Sequence, residues 1–183
     1  MQSVDVWLFT VIHNLAGYSA PVDFLIVFVG QYLFYVVMLI FLYYLYRDYR
    51  GEIGNVYWYI VALVAAVIAR FGVAEFIRFF IHRPRPFLAL QLPHLLTDAA
   101  YSFPSGHTIF MFALATVVHM FDKKFGRFLY VSGFLIGMAR VAGGVHYLSD
   151  ILGGMILGIL TGYIVYILWE RFRRRTVHRI MSA

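Results

Sequence analysis

Long apolar runs constrain most strongly what this chain can fold into. Five of them stand out, with the approximate bounds Phe24–Tyr46, Val56–Ile81, Gly106–Phe121, Phe128–Val145 and Ser149–Trp169. Runs of this kind are typical of helices that cross a bilayer, whose hydrocarbon core is about 30 Å thick. The sequence therefore predicts an all-α fold, a polytopic transmembrane helix bundle of about five spans in a single domain over residues 1–183.

The third and fourth runs are short for a span, because an α-helix rises only about 1.5 Å per residue. We therefore expect their ends to lie in protein or at the membrane surface. Ahead of the first run, Val4–Ala16 has apolar and polar residues at helical spacing, which predicts an amphipathic helix in the interface plane. Small residues four apart in the last two runs predict close helix packing; they are Gly133, Gly137, Gly154, Gly158 and Gly162.

Charged residues are scarce, at 13% of the chain against about 25% in soluble domains. The net charge of +6 is compatible with nucleic-acid binding, but five of the 15 basic residues lie between Arg171 and Arg179, beside an apolar run. A basic tail in that place is typical of an anchor at the cytoplasmic lipid surface. We therefore expect membrane lipids as partners and no nucleic acid. The chain has no cysteine, which excludes disulfides and thiolate metal sites.

Loop charge predicts how the bundle is oriented in the membrane. Basic residues lie around Arg47–Arg50, at Lys123–Arg127 and in the C-terminal tail, whereas the segment before Phe24 has none. Because basic loops stay in the cytoplasm, this pattern predicts an outside N-terminus and a cytoplasmic C-terminus. Arg83 and Arg85 then lie on the outer face against the rule, and a bound ligand would explain them.

Three clusters that are distant in sequence fall at this predicted outer face. Arg78, Arg85 and Arg140 bring guanidinium groups, whose geometry matches phosphate oxygens. Pro104–His107 begins the third run, where a glycine and the first helical turn offer an anion close contact with backbone N–H groups. The imidazole of His107 can donate and accept protons near neutral pH. The pattern indicates a site that binds and cuts an anion, with phosphate the first candidate.

His146 and Asp150 complete the predicted site, since residues four apart share a helix face. A carboxylate there would hold the imidazole in one tautomer and stabilise its positive form. Each part alone has a simpler explanation, because a lone arginine near a helix end is usually a membrane-surface anchor and a His–Asp pair is usually local stabilisation. The joint arrival of these residues at one face favours a site. The other histidines are interpreted as packing residues: His13, His82, His94, His119 and His178.

Two further charges, Arg70 and Glu75, lie inside the second run. Charges within a span are candidates for function by default. On a regular α-helix they are separated by about 140°, so we expect them not to pair with each other. Glu75 precedes Arg78 by three residues, and it either pairs with that arginine or makes an interhelical polar contact.

These features leave three function classes. The first is a membrane enzyme that hydrolyses a lipid phosphate or diphosphate on the outer face. The second is a transporter of a phosphorylated lipid, which would explain the arginines but not the ordered His107, His146 and Asp150. The third is a structural or regulatory protein with an inactive site, against which the intact triad argues.

The motifs resemble those of the type-2 phosphatidic acid phosphatase superfamily of lipid phosphatases. That family's patterns are Lys, six residues, Arg-Pro; then Pro-Ser-Gly-His; then Ser-Arg, five residues, His, three residues, Asp. Here they read Arg78, six residues, Arg85–Pro86; Pro104–His107; and Ala139–Arg140, five residues, His146, three residues, Asp150. Two positions depart from the pattern. Arg78 replaces lysine and keeps the charge, and Ala139 replaces serine and removes one possible hydrogen bond to phosphate.

The resemblance implies a role for each matched residue. His146 would attack phosphorus, oriented by Asp150, and His107 would protonate the leaving oxygen and then activate water. The phosphoryl oxygens would be held by Arg78, Arg85, Ser105, Gly106 through its N–H, and Arg140. The family needs no metal, so we expect neither a metal nor any other cofactor.

Within the family, the short chain and the stretch His94–His107 look most like small bacterial undecaprenyl-diphosphate phosphatases. This implies hydrolysis of undecaprenyl diphosphate to the monophosphate at the outer face of a bacterial cytoplasmic membrane. Phosphatidylglycerophosphate, phosphatidate and lipid A 1-phosphate remain alternative substrates. The sequence does not indicate the oligomeric state.

Overall fold

The computed structural model describes residues 4–51 and 56–181, and within these ranges the regular structure is entirely helical. The first long helix consists of α2 (Ala20–Val27), the π-helical segment π1 (Phe28–Tyr32) and α3 (Leu33–Gly51). The second consists of α4 (Val56–Val67), the π-helical segment π2 (Ile68–Val73) and α5 (Ala74–Phe80). The prediction of an all-α membrane bundle is confirmed.

The bundle is completed by α7 (Gly106–Phe121), α8 (Lys123–Ala142) and α9 (Leu148–Met181). Within the described residues, four helices are long and apolar enough to cross a membrane, and α7 is shorter. It lies at the centre, buried along most of its length and packed against α4, α8 and α9. The short helix α7 is therefore surrounded by protein, which agrees with the expectation from its length.

The fourth helix does not have the bounds that hydropathy predicts, which are Phe128–Val145. It begins at Lys123, because the Asp122 side chain caps it by accepting hydrogen bonds from the N–H groups of Lys124 and Phe125. It ends at Ala142, and Gly144 follows in the left-handed conformation with φ +92°. Hydropathy does not register either signal, since both depend on backbone hydrogen bonding and dihedral angles.

Glycines set the contact between α7 and α9. A Cβ atom at Gly158 would lie 2.6 Å from the Ile109 carbonyl oxygen, and one at Gly162 would lie 2.7 Å from that of Ala113. Any larger residue would therefore push the helices apart. This agrees with the interpretation of these glycines as packing residues.

The N-terminal helix α1 (Val4–His13) lies across one end of the bundle. It buries Phe9 against Tyr147, with ring centroids 5.7 Å apart, and leaves Trp7 exposed. The helix ends three residues before the predicted Ala16, because Asn14–Gly17 form turns. The same end of the bundle holds the end of α8, the starts of α7 and α9, and the connection 81–105, which includes the one-turn helix α6 (Pro86–Ala89).

Candidate active site

Hydrogen bonds between backbone and side chains join the three predicted motifs. Arg78, near the end of α5, donates from Nη2 to the carbonyl oxygen of Pro104 over 2.9 Å. The N–H of Ser105 donates to the carbonyl oxygen of Asp150 over 3.1 Å. Nη1 of Arg85 lies 3.4 Å from Nε2 of His146. The structure thus brings the predicted residues to one end of the bundle.

Arg85 is the most buried of the three predicted guanidinium groups, with 1% of its side chain exposed. Its Nε donates to the carbonyl oxygen of Ala100 over 2.6 Å, and its Nη1 donates to that of Val145 over 2.8 Å. Burial lowers its pKa to about 10, which leaves the group charged at neutral pH. The fork geometry therefore ties the connection 81–105 to the turn that precedes α9.

Asp98 joins two of the predicted arginines, although the sequence did not mark it as a site residue. Its Oδ1 lies 3.0 Å from Nη2 of Arg85, and its Oδ2 accepts from Nη2 of Arg140 over 2.7 Å. Burial raises the pKa of Asp98, but the two guanidinium groups outweigh this and hold it below its usual value. The Asp98 carboxylate therefore lies where the guanidinium groups of Arg85 and Arg140 converge.

Arg140 and Arg78 keep donors that the protein does not use. Arg140 also donates from Nη1 to the carbonyl oxygen of Gly30 in π1, over 3.3 Å. The Nε groups of both arginines are buried and have no hydrogen-bond partner among the described residues. Buried donors of this kind are normally satisfied, so these two N–H groups are suited to a ligand's oxygens.

His146 and Asp150 form the predicted pair, at the start of α9. His146 Nδ1 lies 3.5 Å from Asp150 Oδ2, a long contact without the alignment of a hydrogen bond, and such pairs often tighten when substrate binds. Burial lowers the pKa of His146 to about 4, so the imidazole is neutral at pH 7. A neutral imidazole with its proton on Nδ1, toward the carboxylate, presents the lone pair of Nε2 for attack.

The Asp150 carboxylate is held in place by three further groups. Oδ2 accepts from the Tyr147 N–H over 2.8 Å and from the Ser102 hydroxyl, and Oδ1 accepts from Nη1 of Arg83 over 2.8 Å. Arg83 in turn donates from Nη2 to Asp5 on α1 over 2.5 Å. This network fixes the carboxylate behind His146. It also explains why Arg83 lies at this face, which loop charge alone did not.

The segment Ser105–His107 forms the opposite wall of the site. Ser105 is buried, and its hydroxyl oxygen accepts from Thr108 Oγ1 over 3.1 Å. A Cβ atom at Gly106 would lie 2.5 Å from Nε of Arg70, so the absence of a side chain lets this guanidinium group approach the backbone. The His107 ring stands edge-on to Phe34, with ring centroids 5.1 Å apart.

The expectation that Arg70 and Glu75 do not pair is wrong. Nη1 of Arg70 forms an ion pair with Oε1 of Glu75, and the same oxygen accepts from Nη1 of Arg78 over 2.8 Å. The reason is π2, which contains Arg70 and ends two residues before Glu75. In a π-helix the hydrogen bonds run from i to i+5, so residues five apart lie on the same face of the helix. The expected pairing of Glu75 with Arg78 is present as well.

The other described histidines contact backbone or aromatic groups. His13 Nδ1 lies 2.8 Å from the carbonyl oxygen of Ala142, and the His82, His94 and His119 rings contact Tyr101, Phe87 and Tyr130. These contacts agree with a packing role. The His178 side chain lies outside the described residues.

Residues 55–174 match the family model of the PAP2 superfamily. The undecaprenyl-diphosphatase BcrC of Bacillus subtilis (strain 168) is 29% identical over 160 residues, which cover 87% of this chain and 81% of that protein. The bacitracin transport permease protein BcrC of Bacillus licheniformis is 25% identical over 184 residues, which cover 99% of this chain and 87% of that protein. The crystal structure of Aquifex aeolicus LpxE superposes with a TM-score of 0.69 at 25% identity, over 90% of this chain and 95% of that one. The chain is an integral membrane protein that belongs to the PAP2 superfamily.

Proposed function

We propose that this protein hydrolyses the terminal phosphate of undecaprenyl diphosphate to give undecaprenyl monophosphate, through a phosphohistidine at His146. The observation that carries the proposal is the buried neutral imidazole of His146, backed by Asp150 and facing Arg85. A binding protein needs the arginines, but it has no use for a nucleophile with an orienting carboxylate. The name of the Bacillus subtilis relative supports the substrate.

The first step transfers the terminal phosphoryl group to the protein. The Nε2 lone pair of His146 attacks phosphorus, and the bond from phosphorus to the bridging oxygen breaks. His107 gives its proton to that oxygen, and Asp150 stabilises the positive charge that develops on His146. The leaving product is undecaprenyl monophosphate.

The second step removes the phosphoryl group from His146. His107, now neutral, takes a proton from water, and the resulting hydroxide attacks phosphorus. The bond between Nε2 and phosphorus breaks, and inorganic phosphate leaves. In both steps three guanidinium groups stabilise the charge on the phosphoryl oxygens: Arg78, Arg85 and Arg140. The phosphoryl oxygens accept hydrogen bonds from the unpaired Nε groups of Arg78 and Arg140. They also contact Arg85 and Arg140, the two cations that Asp98 contacts.

A panel of purified lipids in detergent tests this function. We expect phosphate release to be fastest from undecaprenyl diphosphate, and slower from phosphatidylglycerophosphate, phosphatidate and lipid A 1-phosphate. Much faster cleavage of phosphatidylglycerophosphate would overturn the substrate and leave the chemistry standing. Absence of release from every lipid would favour the transporter class, because detergent micelles provide no second compartment.

Arg78 offers a test of the first motif. Its Nη1 and Nη2 serve Glu75 and the Pro104 carbonyl, and a lysine at this position keeps the charge. We expect Arg78→Lys to retain substantial phosphate release and Arg78→Ala to lose about 10²-fold or more in kcat/KM. The matched control is Ala139→Ser, which restores the other departing position without changing charge and is expected to be tolerated. Wild-type rates from Arg78→Ala would leave this arginine a structural role only, in its contacts with Glu75 and Pro104.

The partners of the carboxylates predict whether the activity depends on a metal ion. In the parts of the chain that the structure covers, no three of His, Cys, Asp and Glu are grouped to hold a metal ion. Asp5, Asp98 and Asp150 all pair with arginine instead. We expect EDTA to leave phosphate release unchanged and vanadate to inhibit, since vanadate adopts the five-coordinate geometry of the transition state. Loss of activity in EDTA that Mg²⁺ or Zn²⁺ restores would contradict this.

We place the site at the outer face of a bacterial cytoplasmic membrane, on the loop-charge argument. Because the chain has no cysteine, single cysteines report sidedness cleanly. Leu88, beside the site, is 61% exposed, and Lys124 is exposed at the other end of α8. An impermeant thiol reagent on intact cells should label Leu88→Cys and spare Lys124→Cys. The reverse pattern would invert the topology.

A further inference from the structure

A cavity beside His107 contains a cation that the proposed mechanism does not use. The cavity has a volume of about 200 Å³ and is lined by Phe34, Arg70, Phe71, Gly106, His107 and Phe110. The cation is Arg70, and the other walls are aromatic rings and the backbone at Gly106. One end of the cavity therefore carries the proposed proton donor, and the rest suits an apolar chain next to an anion.

The local backbone sets the position of Arg70. Its segment π2 allows the ion pair with Glu75, and Gly106 leaves room for the guanidinium group against the start of α7. The side chain of Arg70 is 26% exposed, whereas that of Arg78 is 4% exposed. Glu75, its partner, is 47% exposed. Arg70 is thus a charge within a span that an incoming anion can reach, and its partner is a half-exposed carboxylate that it shares with Arg78. Charges within a span are candidates for function by default.

We propose that Arg70 binds the phosphate that stays with the lipid when a diphosphate is cleaved, and that it selects lipid diphosphates over monophosphates. This rests on the proposed function, in which His107 protonates the bridging oxygen. In a diphosphate the retained phosphorus is bonded to that oxygen, so its other oxygens fall beside His107, where Arg70 lies. In a lipid monophosphate a carbon atom takes that place and offers Arg70 nothing.

The same arrangement acts on the rate. As the bond to the bridging oxygen breaks, negative charge grows on the retained phosphate, and a cation next to it stabilises the transition state more than the bound substrate. Phe34, Phe71 and Phe110 receive the first part of the apolar chain. Arg78 donates to the Pro104 carbonyl, at the start of the motif proposed to hold the transferred phosphate. One oxygen of Glu75 bridges Arg78 and Arg70, so the two cations lie side by side and serve adjacent phosphates.

Farnesyl diphosphate and farnesyl monophosphate test the proposal, because they share one chain and differ by one phosphate. We expect Arg70→Gln to lower kcat/KM for the diphosphate by about 10- to 100-fold, the range for a lost charge-assisted hydrogen bond. We expect a change of less than about 3-fold for the monophosphate and partial recovery in Arg70→Lys. Arg47→Gln, which removes a cation at the opposite end of α3, is the matched control and should change neither substrate.

Inhibition gives a second readout that needs no turnover of a monophosphate. Methylenediphosphonate should inhibit the wild-type protein more strongly than inorganic phosphate does, and Arg70→Gln should reduce that preference by a similar factor. Equal losses for both farnesyl substrates, or an unchanged preference between the inhibitors, would overturn the proposal and make Arg70 a residue that positions Arg78. Failure of the wild-type protein to release phosphate from undecaprenyl diphosphate would instead refute the proposed function.

Discussion

His146→Ala is expected to lose at least about 10³-fold in phosphate release, the largest effect of any single change in this chain. The variant lacks the atom that attacks phosphorus. In the wild-type protein that atom lies beside Arg85, on an imidazole that Asp150 orients, and alanine cannot replace it as a nucleophile. Phosphate release from undecaprenyl diphosphate in detergent, compared at equal concentrations of folded protein, measures the loss. Near wild-type release from His146→Ala would refute covalent catalysis at this residue.

His107→Ala separates the two halves of the reaction. It is expected to be similarly slow in turnover, because the leaving oxygen is no longer protonated and water is no longer activated. His146 still remains to accept the phosphoryl group, and without activated water the phosphohistidine is not hydrolysed. Acid-labile label from a substrate with a ³²P terminal phosphate should therefore accumulate on His107→Ala and not on His146→Ala. His82→Ala is the control, since its ring packs against Tyr101 at the edge of this region, and it should turn over normally. Label on His146→Ala would assign the nucleophile elsewhere.

The gathering of the three motifs could be predicted from the order of the spans. A chain that crosses a membrane repeatedly returns to the same face at every second crossing. The end of the second span, the start of the third, the end of the fourth and the start of the fifth must therefore lie together. For this reason the order of the spans predicts Arg78, Gly106, Arg140 and Asp150 at one face, and the structure brings them to one end of the bundle.

The residues that the sequence did not reveal depend on irregular structure. The ion pair of Arg70 and Glu75 needs π2, one extra residue in a helical turn that hydropathy averages over. Asp98 lies in a connection without helical or strand periodicity, so no pattern orients its side chain toward the arginines. The contact of Asp5 with Ser149 joins residues 144 positions apart. Spacing along a chain carries no signal for such contacts.

These irregular contacts share a physical purpose, which is to fix charged groups that would otherwise repel one another. Three buried guanidinium groups meet at this end of the bundle, and a dry cluster of like charges is unstable unless anions neutralise it. Asp98 contacts two of them and Glu75 contacts the third, so two carboxylates offset part of the positive charge and leave the excess for the phosphate. The site is thereby organised before substrate arrives, which is how fixed charges stabilise a transition state without reorganising.

Arg85 and Arg78 are expected to respond differently to the same conservative change. Arg85 donates to the carbonyl oxygens of Ala100 and Val145 and contacts Asp98 and His146 at once. A lysine keeps the positive charge but is a point donor on a flexible stem, so it does not reproduce this fork. We therefore expect Arg85→Lys to lose about 10²-fold or more in kcat/KM, close to the loss in Arg85→Ala, whereas Arg78→Lys stays active.

Loss of folding is the competing explanation, because truncation leaves buried carbonyl oxygens unpaired. Size-exclusion elution and thermal unfolding in detergent should therefore be measured on both variants, and the rate of ³²P labelling of His146 on the fraction that remains folded. If Arg85 positions His146 and holds the phosphoryl oxygens, folded Arg85→Lys is labelled slowly. Labelling at the wild-type rate would show that charge alone suffices at this position, and that the fork serves only to tie the connection 81–105 to the start of α9.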